Sequence, residues 1–311
     1  MAQPHSHDEH AHPHVHSHAP ADFGRAFAIG VALNLVYVAA EAALGVVTGS
    51  LALLADAGHN LSDVLGLGLS WGAAVLSRRQ PSQRYTYGLR SSSILAALAN
   101  AIILLVVTGG IAWEGVRRLS EPVAVSGGIV AWVAAAGIII NGGTALLFAG
   151  GRDRDLNVRS AFLHMLADAL VAAAVSAAGI AIALTGWQWL DPAMGILVSA
   201  VIVYGTWGLL RDSMRLALDA VPEGIDAAAV RDHLAALPGV REVHDLHIWG
   251  MSTTETALTC HLVMPGGHPG DAELAALAHR LDHRFGIHHV TIQIELGDSA
   301  EACALTPEHV V

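Results

Sequence analysis

The chain has 311 residues, of which 53% are hydrophobic and only 14% charged, with a mean hydropathy of +0.51. That composition excludes an ordinary soluble domain and indicates a polytopic membrane protein. The formal charge of −11 is unevenly placed: residues 1–218 hold 12 Arg against 13 Asp and Glu, whereas residues 219–311 hold 4 Arg against 14, an acidic end that repels nucleic acid.

Residues 1–20 read MAQPHSHDEHAHPHVHSHAP, with histidine at positions 5, 7, 10, 12, 14, 16 and 18. Such a tract cannot bury a core, so residues 1–22 are expected to form a disordered, His-rich cytoplasmic segment that binds zinc or nickel loosely. It is not a secretory signal, because histidines and acids stand where a basic region would be. Six apolar spans follow, at about 25–47, 51–75, 94–113, 126–149, 160–185 and 190–210. Arg25, Arg78, Arg79, Arg84, Arg90, Arg152, Arg154, Arg159, Arg211 and Arg215 fall on one side of these spans, and only Arg117 and Arg118 on the other. The positive-inside rule then puts both termini in the cytoplasm.

From about Ala220 the pattern becomes soluble α/β. Asp226–Leu237 reads as a short amphipathic helix ended by Pro238 and Gly239, Val240–Trp249 and Glu255–Met264 as strands, Asp271–Phe285 as a helix and His289–Leu296 as a closing strand. The order αββαβ makes a small sheet with helices on one face, ferredoxin- or metallochaperone-like. The boundaries expected are 23–215 for the six-helix transmembrane domain, 216–297 for the cytoplasmic domain and 298–311 for a flexible tail. Two cysteines, Cys260 and Cys303, fit a cytosolic setting without a disulfide framework.

The chemistry is concentrated in the second and fifth spans. Between residues 19 and 232 the only histidines are His59 and His164, and each is followed four positions on by an aspartate, Asp63 and Asp168. Residues four apart on a helix are neighbours, roughly 5–6 Å between Cβ atoms. Ionisable groups at membrane depth cost about 2.5–3.5 kcal/mol each on insertion scales, so they mark an ion or proton path. Two imidazole–carboxylate pairs from facing helices offer the four ligands of a tetrahedral Zn2+ ion. Asp56 shares the face of His59 and Asp63 and reads as a carboxylate orienting His59, a conduit residue or a direct ligand. Asn34 and Glu41 read as a polar seam of the first span.

The motifs ADAGHNLSD (55–63) and AFLHMLAD (161–168), the loop RYTYG (84–88) and the segment HDLHIW (244–249) resemble the cation diffusion facilitator family over residues 25–297. The resemblance implies a six-span homodimer in the inner (plasma) membrane that exports Zn2+ in exchange for protons, its transport site made of His59, Asp63, His164 and Asp168. Members with two histidines and two aspartates there look like the zinc-preferring version. It also implies zinc ligands in the cytoplasmic domain at positions matching His244, His261, His288 and Glu295, with Asp271 a ligand in some members or here a helix-capping residue. Cys303, with His309 near it in sequence, could complete a thiolate site or belong to a loose tail. His233, His279 and His283 read as solvated helix faces. Ser91, Ser92 and Ser93 stand where many members carry an acidic residue near the start of the third span.

The rival readings are an exporter mainly of nickel, cobalt or cadmium and a metal-gated channel. An intramembrane metallohydrolase would need a general base beside the zinc-bound water, typically in HExxH, and no such motif occurs. The chain is therefore expected not to be an enzyme, with Zn2+, protons, the lipid bilayer and a second copy as partners and no nucleic acid among them.

Overall fold

The computed structural model describes residues 23–77, 79–150, 156–298 and 303–306. The His-rich tract, Arg78, Arg152, Arg154 and His309 lie outside the described residues. Six long helices come first: α1 (Phe23–Thr48), α2 (Leu51–Ser77), α3 (Ser92–Ser120), α4 (Gly127–Ala149), α5 (Leu156–Thr185) and α6 (Leu190–Ala217). Among the described residues, α3, α4, α6 and Phe162–Thr185 of α5 are long and apolar enough to cross a membrane, and Asn34–Thr48 of α1 is a shorter apolar helix. The six spans expected from sequence thus appear as six helices, four of which carry that length and apolarity. α3 continues past residue 113, so Arg117 and Arg118 sit in its last turn, both paired with Glu114 at 2.8 Å.

The helices reverse the soluble pattern. Trp132, Ile139 and Leu146, seven residues apart on α4, are 75–80% exposed, whereas Glu41, Asp56, Asn60, Asn141 and Asp168 are at most 3% exposed. An apolar exterior around a polar interior suits a hydrocarbon surrounding, where polar groups must be satisfied inside the bundle. α4 packs chiefly on α5 and α3 on α6. α4 and α5 meet backbone to backbone, since a Cβ on Gly127 would lie 2.5 Å from the Gly179 carbonyl oxygen and one on Gly179 2.5 Å from Ala131 N. Small residues permit that approach, as is usual at helix crossings in lipid.

The start of α2 is held by another helix. Asp191, 1% exposed in the first turn of α6, accepts hydrogen bonds from Ser50 Oγ at 2.5 Å and from the backbone N–H of Leu51 at 2.8 Å. It takes the place of an N-capping side chain, satisfying donors a helix end leaves unpaired.

The soluble unit follows as α7 (Ala227–Ala235), β1 (Glu242–Gly250), β2 (Thr256–Val263), α8 (Asp271–Phe285) and β3 (His289–Glu295). The αββαβ order expected from sequence is present, with β2 central, antiparallel to β1 and parallel to β3. Val230 and Leu234 of α7 and Leu277 and Leu281 of α8 pack with Ile248, Leu258, Cys260 and Leu262 from one face of the sheet. Burial pushes the Cys260 thiol up to about 12, with Asp245 adding to the effect. The unit touches the helices through the turn between β1 and β2. There Arg90 and Glu255 pair at 2.6 Å, Ser91 Oγ donates to the Met251 carbonyl and the Thr253 N–H donates to Ser93 Oγ. Ser91 and Ser93 therefore join the helical part to the sheet, while Ser92 Oγ is buried without a hydrogen-bond partner.

Candidate metal centre

α2 and α5 bring His59, Asp63, His164 and Asp168 together, with one ligand atom from each within 4.8 Å of all the others. The contacts run across the helix pair as well as along it. His164 Nε2 is 3.0 Å from Asp63 Oδ2 and His59 Nε2 is 3.3 Å from Asp168 Oδ1, whereas the i,i+4 partners stand at 3.8 Å (His59–Asp63) and 3.6 Å (His164–Asp168). The two rings meet edge to face at 5.8 Å. Zinc bonds of about 2.0–2.3 Å in a tetrahedron imply ligand–ligand separations of about 3.3–3.8 Å, so the group needs only small adjustment to close on an ion. Buried atoms without a hydrogen-bond partner, His59 Nδ1 and Asp168 Oδ2, belong to the same group. Such orphans are uncommon in folded proteins and indicate a missing partner. Two neutral imidazoles and two carboxylates also balance the charge of one divalent ion.

Asp56 lies beside this group and not in it. It is 1% exposed, its Oδ2 has no hydrogen-bond partner, and it interacts with Glu41 of α1 as well as with His59. Glu41 accepts from Tyr37 Oη at 2.8 Å and also meets Asn60, so the polar seam expected of the first span is present at Glu41 and faces α2.

The α/β unit carries a second group. His244, His261, Glu295 and Cys303 place one ligand atom each within 4.8 Å of the others. His261 Nδ1 is 3.0 Å from Glu295 Oε1, and His244 Nε2 is 3.4 Å from Glu295 Oε2. His244 and His261 are cross-strand partners, their ring centroids 5.1 Å apart. Simple alternation would turn His244 toward the helices along with Leu246 and Ile248. An irregularity between His244 and His247, with Asp245 at φ +50, shifts the register and turns His244 to the helix-free face. Asp245 then reaches His247 Nε2 at 2.8 Å and His261 Nε2 at 3.5 Å. Its role was not foreseen from sequence, where plain alternation gives no sign of the register shift.

Two residues expected among the cytoplasmic ligands lie elsewhere in the single chain. His288 is exposed, accepts from the Thr256 N–H through Nδ1 at 3.3 Å and is 3.8 Å from Asp282. Asp271 is exposed in the first turn of α8, where Gly270 at φ +97 holds the N-cap position, so Asp271 is not the capping residue. His279 and His283 are exposed, as expected of a solvated face. His233 is half-buried against Phe285, and burial, then the nearby Arg284 and Arg280, hold its imidazole below the ordinary value.

Comparison with known proteins adds the following. Residues 27–216 match the family described as "Cation efflux transmembrane domain" and residues 222–296 the one described as "Cation efflux protein, cytoplasmic domain". The cation efflux system protein CzcD of Alcaligenes sp. (strain CT14) is 36% identical, covering 98% of this chain and 93% of its own. The zinc transporter ZitB of Escherichia coli (strain K12) is 38% identical over 86% of both chains. The "cadmium, cobalt and zinc/H(+)-K(+) antiporter" of Bacillus subtilis (strain 168) is 33% identical, covering 83% of this chain and 85% of its own. Among solved structures, the metal-bound C-terminal domain of the CzcD transporter is 40% identical, covering 23% of this chain and all of that one, with a TM-score of 0.21.

Proposed function

The chain belongs to the cation efflux family, the cation diffusion facilitators, as a divalent-metal efflux transporter and not an enzyme, and from that premise we propose that it exports Zn2+ in exchange for protons through His59, Asp63, His164 and Asp168. The observation that carries the reading is the mutual approach of four ligand atoms from α2 and α5 to within 4.8 Å. Two histidines favour zinc over the harder oxygen-bound ions, and two carboxylates favour it over soft ions that prefer thiolates. A relative named as a zinc transporter supports the cargo, and one named as an H(+)-coupled antiporter supports the coupling.

The exchange follows from ligand chemistry. Metal requires neutral imidazole and ionised carboxylate, so loading an ion expels protons and protonation expels the ion. One divalent ion and about two protons each neutralise the two carboxylates, so either occupant lets the site change sides without a net charge in the hydrocarbon layer. Zinc loads from the cytoplasm and leaves where protons are plentiful. The remaining parts of the reading are six membrane crossings by α1–α6, an inner (plasma) membrane location with both termini cytoplasmic, and a homodimer joined through residues 216–297. His244, His261 and Glu295 hold a further zinc ion in that domain. Residues 1–22 gather metal on the cytoplasmic side, and residues 298–311 form the tail.

Proteoliposomes test the proposal. Zinc uptake should require an opposing proton gradient, and zinc pulses should move protons outward across the same membrane. Uptake indifferent to that gradient removes the antiport. A larger cobalt or nickel flux than zinc flux under equal conditions makes those metals the main cargo instead.

A further inference from the structure

We propose that Cys303, carried by the tail, supplies a thiolate ligand to the group formed by His244, His261 and Glu295, so that a bound transition-metal ion clasps the tail onto the helix-free face of the sheet. The inference rests on the reading of those three residues as a metal site and adds the tail to it. Cys303 Sγ lies 3.7 Å from His261 Nδ1, the same nitrogen that stands 3.0 Å from Glu295 Oε1. The thiol separation falls within the about 3.3–3.8 Å between ligands of a tetrahedral ion, and the carboxylate at 3.0 Å needs only to draw back slightly to meet it. The Thr306 N–H donates to the Cys303 carbonyl at 3.1 Å, fixing the cysteine at the start of a turn.

His244 points to a ligand independently of the cysteine. It is only 6% exposed, yet neither Nδ1 nor Nε2 has a hydrogen-bond partner. A buried imidazole left unpaired costs about 1–3 kcal/mol, which an ion accepting the Nε2 lone pair would recover. His261 is oriented for the same task. Asp245 Oδ2 lies 3.5 Å from its Nε2, on the far side of the ring from Glu295, where a carboxylate can accept the Nε2 proton once Nδ1 ligates. Asp245 holds a left-handed backbone at φ +50, the kind of local strain that persists where surrounding structure needs a side chain in one place.

Two imidazoles, one carboxylate and one thiolate neutralise a divalent ion, the thiol proton passing to solvent as the metal–sulfur bond forms. The sulfur makes this site softer than the nitrogen and oxygen set of the transport site. Cadmium and zinc should therefore be retained here in preference to cobalt, with a sharper preference than in the membrane. Metal occupancy and the position of the tail become one equilibrium.

The test uses the full chain in detergent, stripped of metal and titrated with Co2+. Wild type and Cys260→Ser should show a thiolate-to-cobalt charge-transfer band in the near ultraviolet, and Cys303→Ser should lose it. Zinc at about ten times its dissociation constant should slow maleimide labelling of Cys303 about tenfold in wild type, and not in His261→Ala. A wild-type cobalt form without the band, while His261→Ala still lowers cobalt stoichiometry, overturns the thiolate and leaves the histidine–carboxylate site standing. Unchanged stoichiometry in His261→Ala removes that site and the clasp with it.

Discussion

Asp168→Asn separates the charge of the proposed transport site from its shape. The aspartate side chain is 4% exposed and its two oxygens stand 3.3 Å from His59 Nε2 and 3.6 Å from His164 Nε2. Asparagine fills the same volume but brings one amide donor where a ligand is needed, and one negative charge fewer against the ion. Removing one partner from a buried charge group costs about 3–5 kcal/mol. At about 1.4 kcal/mol per decade that is a loss of about 10²–10⁴ in zinc affinity. The assay is zinc uptake into liposomes holding a zinc-sensitive dye, with the full chain reconstituted at matched density. KM for zinc should rise by that factor, and uptake at low zinc should vanish. The melting temperature of the metal-free variant should stay near that of wild type, because asparagine keeps the packing of the aspartate it replaces. Wild-type KM in Asp168→Asn would refute the four-ligand reading outright. A KM rise with a collapsed melting temperature would make the residue a structural one.

Asp191→Asn should loosen the start of α2, since the carboxylate bonds Ser50 Oγ and the Leu51 N–H; charge-assisted bonds of about 1.5–3 kcal/mol predict a lower melting temperature and faster amide exchange at Leu51 and Ala52. Gly179→Val should separate α4 from α5, because a Cβ already meets Ala131 N at 2.5 Å; the check is loss of monodisperse protein on size-exclusion chromatography, with Gly186→Val, where a Cβ meets nothing, compared for backbone strain alone. Cys260 has a thiol raised to about 12, above its unfolded value of about 8.5, so its stabilising effect is complete below about pH 8.5 and is lost as pH rises toward 12. Melting temperature measured from pH 8 upward should fall less steeply in Cys260→Ala than in wild type.

Much of the architecture was legible because few patterns could produce it. Long apolar runs with an Arg bias read as spans, and alternation in Val290, Ile292 and Ile294 read as a strand that packs one face on helices. Asp245 shows where such reading stops. A single left-handed residue reverses the facing of His244, and nothing local to HDLH announces it. His288 was a ligand candidate by likeness, yet its partners in the single chain are a backbone N–H and Asp282. Asp191 drew no notice in the sequence, because its partners are more than a hundred residues away.

From the sequence alone came the ligand chemistry: which side chains can hold an ion, and that each histidine has an aspartate one turn on, because helical spacing is a local property. Only the tertiary structure decided that each imidazole lies nearer the carboxylate of the opposite helix, and that a tail cysteine stands beside His261. Those distances depend on how helices and strands pack, through glycine contacts, a displaced register and a buried carboxylate, and packing is set by the whole chain at once.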